Sequence, residues 1–148
     1  MTQSEISASN TKITAEVVPE NLRMDVLPAL FGSAFMRGEN LITGYMRNIC
    51  AGYTGGHWDF IRLSNGGFYL RPDMEKVDLS IAGNGFQKEV SADAAGIVVT
   101  LYALNMLMWD SADSDRQELL NHLYQQSEKL KDYAETTSEH SAIYRAID

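Results

Sequence analysis

"SNGGFYL", residues 64–70, decides how this chain folds. An asparagine and two glycines follow closely on Gly55-Gly56, and two structures fit them. One is a loop that cradles phosphate. The other is the tip of a β-hairpin. A phosphate loop needs its glycines between a strand and a helix N-terminus, so that helix N–H groups point at the anion. Here strand-like residues stand on both sides, with Trp58 to Leu63 before the turn and Phe68 to Arg71 after it. Neither GxxxxGK[ST] nor GxGxxG is present, and no lysine is near in sequence. Asn-Gly between strands is the strongest short hairpin signal, because a type I′ turn needs positive φ at both central residues. The stretch reads as a turn.

The next segment repeats the device. Val77-Asp78-Leu79-Ser80-Ile81 alternates, Asn84-Gly85 turns, and Phe86 to Val90 returns. Four strands with short connections predict an antiparallel meander, with Val77, Leu79 and Ile81 on its core face. Ile13 to Val18 adds a short strand near the N-terminus. A helix opens at Pro19-Glu20 and runs to about Phe31, bent at Pro28. Gly32-Ser33 breaks the chain, and Ser33 is the expected N-cap of a helix from Phe35 to Cys50. In that helix Leu41, Ile42, Tyr45, Met46 and Ile49 share one side, while Arg37, Asn40, Gly44, Arg47 and Asn48 share the other. Gly38 and Glu39 fall on the apolar arc. Either the first turn faces solvent, or Gly38 packs closely and Glu39 is partly buried beside an arginine.

Ser91 caps a helix that runs to about Trp109 and is apolar nearly all round, the pattern of a buried central helix. Ala92, Gly96, Thr100 and Ala103 form a small-residue stripe along it, which lets another element approach closely. Asn105 lies opposite, among Ala94, Val98 and Leu101, and is expected to be buried and hydrogen-bonded. "DSADSDRQE", residues 110–118, is an acidic connector. In it Ser114 and Gln117 match a capping box for a helix over 115–134. A short helix over 139–147 closes the chain. The expected organisation is a flexible tail over residues 1–12 and a single α+β domain over 13–148, built as a four-stranded antiparallel meander against the buried helix.

Composition bounds the function. The 148 residues are 45% apolar and 22% charged, the balance of an ordinary globular domain. The lone cysteine, Cys50, cannot form an internal disulfide, which fits a reducing compartment. "MTQSEISASNTK" lacks the apolar core of a signal peptide. The longest apolar stretch, Ala94 to Trp109, is interrupted by polar residues and falls short of the ~20 residues of a membrane span. A soluble cytoplasmic protein is the expectation. The net charge is −8. Residues 1–72 are balanced, with six basic and six acidic side chains, and residues 73–148 carry six basic and fourteen acidic. Such a surface repels DNA phosphates, so strong direct nucleic-acid binding is not expected.

No pattern of catalytic spacing emerges. His57-x-Asp59 stands without a HExxH or a Cys/His cluster, so no metal site is expected. Cys50 sits at the apolar edge of its helix, where a core thiol is the simpler reading than a nucleophile. Glu39, Asp59, Glu89 and Asp93 are not brought together by any sequence spacing.

The blocks "LPALFGSAFMRGENLI" (27–42), "YTGGHWDFIRLSNGGFYLRP" (53–72), "GNGF" (83–86) and "SADAAGIVVTLYALN" (91–105) together resemble the ArdB/KlcA family of antirestriction proteins. The match spans about Pro28 to Asn105, in the family's order; the ends add little. The resemblance implies a small α+β protein of a plasmid, phage or genomic island that relieves type I restriction of incoming DNA. It implies no nuclease or other enzymatic activity and no metal or organic cofactor. It supplies no catalytic residue. The modest net charge agrees with the family's distinction from extended, highly acidic DNA mimics. The implied partner is the type I restriction-modification complex, contacted directly or indirectly, by a monomer or weak homodimer. Other readings are a homodimeric accessory protein bound to another host factor, or an undetected enzyme.

Two surfaces are candidates for the contact. The first is the polar face of the Phe35–Cys50 helix, with Arg37, Asn40, Arg47 and Asn48, beside the loop residues Tyr53 and His57. It lies inside the family-like blocks. The second is the acidic connector, with Asp110, Asp113, Asp115 and Glu118. Its acids also suit the positive end of a helix dipole, which is reason enough for their placement.

Overall fold

The computed structural model describes residues 12–112 and 116–148. The expected tail over 1–12 falls almost wholly outside the described residues, as do Asp113, Ser114 and Asp115. The described chain forms strands β1 (Ala15–Val17), β2 (Trp58–Leu63), β3 (Phe68–Pro72), β4 (Lys76–Ile81) and β5 (Phe86–Ser91). Its α-helices are α1 (Val26–Phe31), α2 (Phe35–Ile49), α3 (Ala92–Ser111), α4 (Gln117–Thr136) and α5 (His140–Ile147).

The α+β class and the antiparallel pairing hold, but the four expected strands do not make one sheet. β1, β2 and β3 form one antiparallel sheet in that order, and β4 pairs with β5 in a second. The outer edge of β3 explains the split. Asp59, Ile61 and Leu63 pair inward with β3, so Leu70 turns its backbone outward. There its N–H donates to Thr100 Oγ1 of α3 at 3.2 Å. Pro72 has no N–H to offer a further strand. The helix thus occupies the edge that β4 would need.

The small-residue stripe makes this approach possible. A Cβ on Gly96 would lie 2.1 Å from the Leu70 carbonyl oxygen, so only glycine fits. α3 is buried along most of its length, from Ala92 to Leu107. By length and composition it could cross a bilayer, contrary to the shorter apolar run expected, but here it is mostly buried in the fold. Ser91 caps it as expected, accepting from the Ala94 N–H at 3.0 Å. Ser91 also donates from its own N–H to Glu139 at 2.9 Å, which ties the start of α3 to the start of α5.

The N-terminal helix differs from expectation. A 3₁₀ segment, Glu20–Asp25, precedes α1, and Pro28 falls in the first turn of α1, where its missing N–H costs nothing. Ser33 does not cap α2; that position belongs to Ala34, which makes no side-chain bond. Gly38 is buried because its missing Cβ leaves room for Phe31, whose ring would lie 2.4 Å away. Glu39 beside it is exposed, so the close packing holds and the buried carboxylate does not.

Both asparagine turns are hairpin tips, but neither is type I′, because no asparagine has positive φ. At the first, Gly66 N–H donates to Leu63 O at 3.0 Å and Leu63 N–H to Gly67 O at 2.9 Å. Gly66 alone takes positive φ, +89°. This is the three-residue loop with a glycine bulge. At the second, Ile81 pairs with Phe86 across a four-residue loop, and Gly85 has φ +74°.

Candidate functional site

α2 presents its polar face as expected: Arg37, Asn40, Arg47 and Asn48 are all exposed. The two candidate surfaces turn out to touch. Arg37 Nε donates to Asp110 Oδ2 at 2.6 Å, joining the start of α2 to the end of α3. Behind the pair, Tyr45 packs on Tyr102 with ring centroids 5.2 Å apart. Burial raises the Tyr45 hydroxyl above its usual range, the Arg37 charge opposes that shift, and Asp110 adds to it. Glu118 is exposed in the first turn of α4, and Asp113 and Asp115 lie outside the described residues.

Tyr53 is not a surface residue. It is buried, its hydroxyl accepts from Trp58 Nε1 at 2.9 Å, and the two rings meet edge-on. Arg47 lies over its face, 5.9 Å from the centroid. Tyr53 therefore supports the loop and the arginine instead of offering a contact. His57 is exposed, with Nε2 3.1 Å from Asp59 Oδ1.

Asp59 starts a polar chain that sequence spacing did not show. Arg71 Nη2 donates to Asp59 at 2.9 Å and Nη1 to Asp93 at 3.3 Å, while Tyr69 Oη donates to Asp93 at 2.6 Å. The Arg71 hydrogen bond holds the Asp59 carboxyl below the usual carboxylate range, against a partial desolvation that raises it. Burial keeps Tyr69 far above the ordinary phenol range, with the Asp93 bond adding to that. Each acid has a basic or hydroxyl partner, which is the arrangement of a strut between β2, β3 and α3. Among the described residues no cluster of three histidine, cysteine or acidic side chains is set to hold a metal. Cys50 is buried.

The hairpin tip does acquire a lysine, which the sequence placed far away. Lys129 of α4 packs over Gly66, its Nζ 3.2 Å from where a Cβ would stand. The loop is still not an anion cradle, because its N–H groups are used internally. Gly66 N–H donates to Leu63 O, and Gly67 N–H to Asn65 Oδ1 at 3.0 Å.

Two residues that sequence reading passed over flank the Arg37–Asp110 pair along the chain. Met36 is 71% exposed and Trp109 is 72% exposed. Trp109 ends an apolar run, and nothing in that run distinguishes the one large side chain left in solvent. Aromatic and arginine side chains together are the chemistry that dominates protein–protein contacts.

The antirestriction protein family's profile matches residues 51–148. An antirestriction protein KlcA of Escherichia coli is 43% identical over 97% of this chain and all of its own length. A second KlcA from the same species is 44% identical, covering 92% of this chain and 94% of its own. A solved structure from work on the KlcA and ArdB proteins superposes with a TM-score of 0.82 at 44% identity, over 92% of this chain and 95% of that one. That work describes a novel fold, and activity against type I DNA restriction systems in vivo but not in vitro. The chain belongs to the antirestriction protein family.

Proposed function

We propose that this chain relieves type I restriction of incoming DNA in the bacterial cytoplasm, without catalysis, through a protein contact centred on Met36, Arg37, Trp109 and Asp110. Arg47, Asn40 and Asn48 extend the same helix face. The observation that carries the reading is the fold-level and sequence-level likeness to the solved KlcA/ArdB structure, together with an exposed tryptophan beside an arginine–carboxylate pair. An exposed Trp in a water-facing position contributes little to the monomer and much to an interface. The net charge of −8 argues against DNA as the surface contacted. The protein acts as a monomer or weak homodimer.

A second reading has specific support. The solved neighbour's activity is described in vivo but not in vitro. A host factor absent from purified restriction enzyme accounts for that difference, and the contact surface then serves the host factor.

Plating of unmodified phage on restricting and non-restricting hosts tests the proposal. Expression should raise plating only on the restricting host. The folded Arg37→Ala/Trp109→Ala variant should lose most of that protection. Changing Asp113, Asp115 and Glu118 to amides should leave it, since Asp110 belongs to the ion pair and is spared. Full protection by the first variant, or loss in the second alone, would move the contact to the acidic connector.

A further inference from the structure

We infer that the outer edge of β1 docks an extended, arginine-bearing segment of a partner protein, added as a further strand of the three-stranded sheet. β1 ends that sheet. Its Glu16 pairs inward with Arg62, and on either side Val18 N–H donates to Phe60 O at 2.8 Å and Ser64 N–H to Thr14 O at 2.9 Å. By antiparallel alternation the N–H and C=O groups of Ala15 and Val17 point away from β2. Among the described residues these four groups have no partner. Such a row is a template on which another chain adds a strand. Proteins blunt unwanted edges with charges or proline. Ala15 and Val17 are neither, and Val17 is 49% exposed.

The face of the sheet beside this edge decides the partner's chemistry. Ala15 and Val17 border a groove of about 230 Å³ that continues over Ile61 to Tyr69, Tyr133, Arg71 and Asp93. Tyr133 stacks on Tyr69 with ring centroids 6.0 Å apart and is only half-buried. Its hydroxyl has no partner among the described residues. At the far end two carboxylates, Asp59 and Asp93, share the one guanidinium of Arg71, which leaves the cluster negative. Both bonds to Asp93 fall on Oδ1, Oδ2 accepts none, and the side chain is 48% exposed. The groove thus offers an aromatic ring and an unspent carboxylate oxygen.

Arginine answers both features, because a guanidinium stacks on aromatic rings and donates to carboxylates. Residues of the added strand directly opposite Ala15 and Val17 project on the groove's side of the sheet, so arginine belongs at alternate positions. A second copy of this chain fits the edge less well. Each copy carries a net charge of −8, and a two-fold axis through the middle of β1 would set Glu16 against its own copy. Met36, Arg37, Trp109 and Asp110 do not border the groove, so this site is distinct from the contact proposed above.

A capped heptapeptide of alternating arginine and valine, titrated into the full chain and followed by amide NMR shifts, tests the site. Saturable shifts should centre on Ala15, Val17 and Asp93. Citrulline in place of arginine keeps the shape and removes the charge, and should bind at least roughly tenfold more weakly. N-methylation should abolish binding at one alternate set of peptide residues and spare it at the other, since only one set of N–H groups can face β1. Ala15→Pro removes an outward N–H that β2 does not use, so it should weaken the peptide while the melting temperature stays near the parent's. Asp93→Asn should erase the preference for arginine over citrulline. Four results would overturn the inference: no saturation, citrulline binding as well as arginine, equal effects of the two methylated sets, or a homodimer in sedimentation that Ala15→Pro dissolves. Phage plating is a separate readout, so failure of the restriction reading leaves this one standing.

Discussion

Glycine has three different meanings in this chain, and only the surroundings separate them. Gly96 is where the Leu70 backbone crosses α3; a Cβ there would overlap a carbonyl that cannot move without breaking the Thr100 bond. Gly38 makes room for the Phe31 ring. Gly44 sits on the exposed face of α2 with nothing within 4 Å of a Cβ. Alanine substitutions should therefore diverge in sign. Gly96→Ala should cost roughly 3 kcal/mol or more through overpacking against backbone. Gly44→Ala should stabilise by about 1 kcal/mol, since alanine is the better helix former and meets no obstacle. Urea unfolding of the two variants checks the pair, and a Gly96→Ala protein as stable as the parent would show that β3 does not cross there.

The hairpins are more than turns, because each is pinned to a helix by its asparagine. Asn65 Oδ1 closes the turn on Gly67, and its Nδ2 donates to the Lys129 carbonyl of α4 at 2.9 Å. Asn84 does the same for the second sheet. Its Oδ1 accepts from Phe86 N–H at 3.0 Å, and its Nδ2 reaches the carbonyls of Ala146 at 2.9 Å, Asp148 at 3.1 Å and Arg145 at 3.3 Å. These are carbonyls at the end of α5, which have no partner within their own helix. Asn84→Ala should therefore loosen α5 selectively. Hydrogen exchange should speed up over 140–147 with a local cost of about 1–3 kcal/mol, while α4 keeps its protection. Uniform acceleration across the chain, or none, would contradict a pin at this point.

At the scale of the whole molecule, the strut from Asp59 through Arg71 to Asp93 joins the three-stranded sheet to the central helix. It makes the fold sensitive to acid. The Asp59 pKa is lower folded than unfolded, chiefly through the Arg71 hydrogen bond. Its stabilising contribution is complete above the unfolded carboxylate range and is lost as pH falls through the folded value. Urea midpoints measured downward from neutral pH should decline through the acid range. Asp59→Asn should be less stable at neutral pH and show a shallower acid decline. Parallel curves for the two proteins would place the acid sensitivity elsewhere.

Much of this was determined by the sequence alone. Local rules located the Asn-Gly turns, the Ser91 cap and the amphipathic α2, because turn chemistry, capping and periodicity act within a few residues. The family was legible too, and the likeness extends beyond the blocks that announced it, over residues 51–148 for the family profile and 97% of the chain for one KlcA relative. The stripe from Ala92 to Ala103 announced a close approach without saying of what. Tertiary structure alone decided the rest. It put the helix on the edge of β3 and so split one expected meander into two sheets. It set Arg37 against Asp110, merging surfaces 73 positions apart in sequence. It buried Tyr53 and left Trp109 in solvent. It also left Asn105, expected in the core, exposed. The physical reason is common to all of these. Periodicity reports which face of an element is apolar, whereas burial depends on what arrives opposite that face, and the arriving groups come from distant parts of the chain.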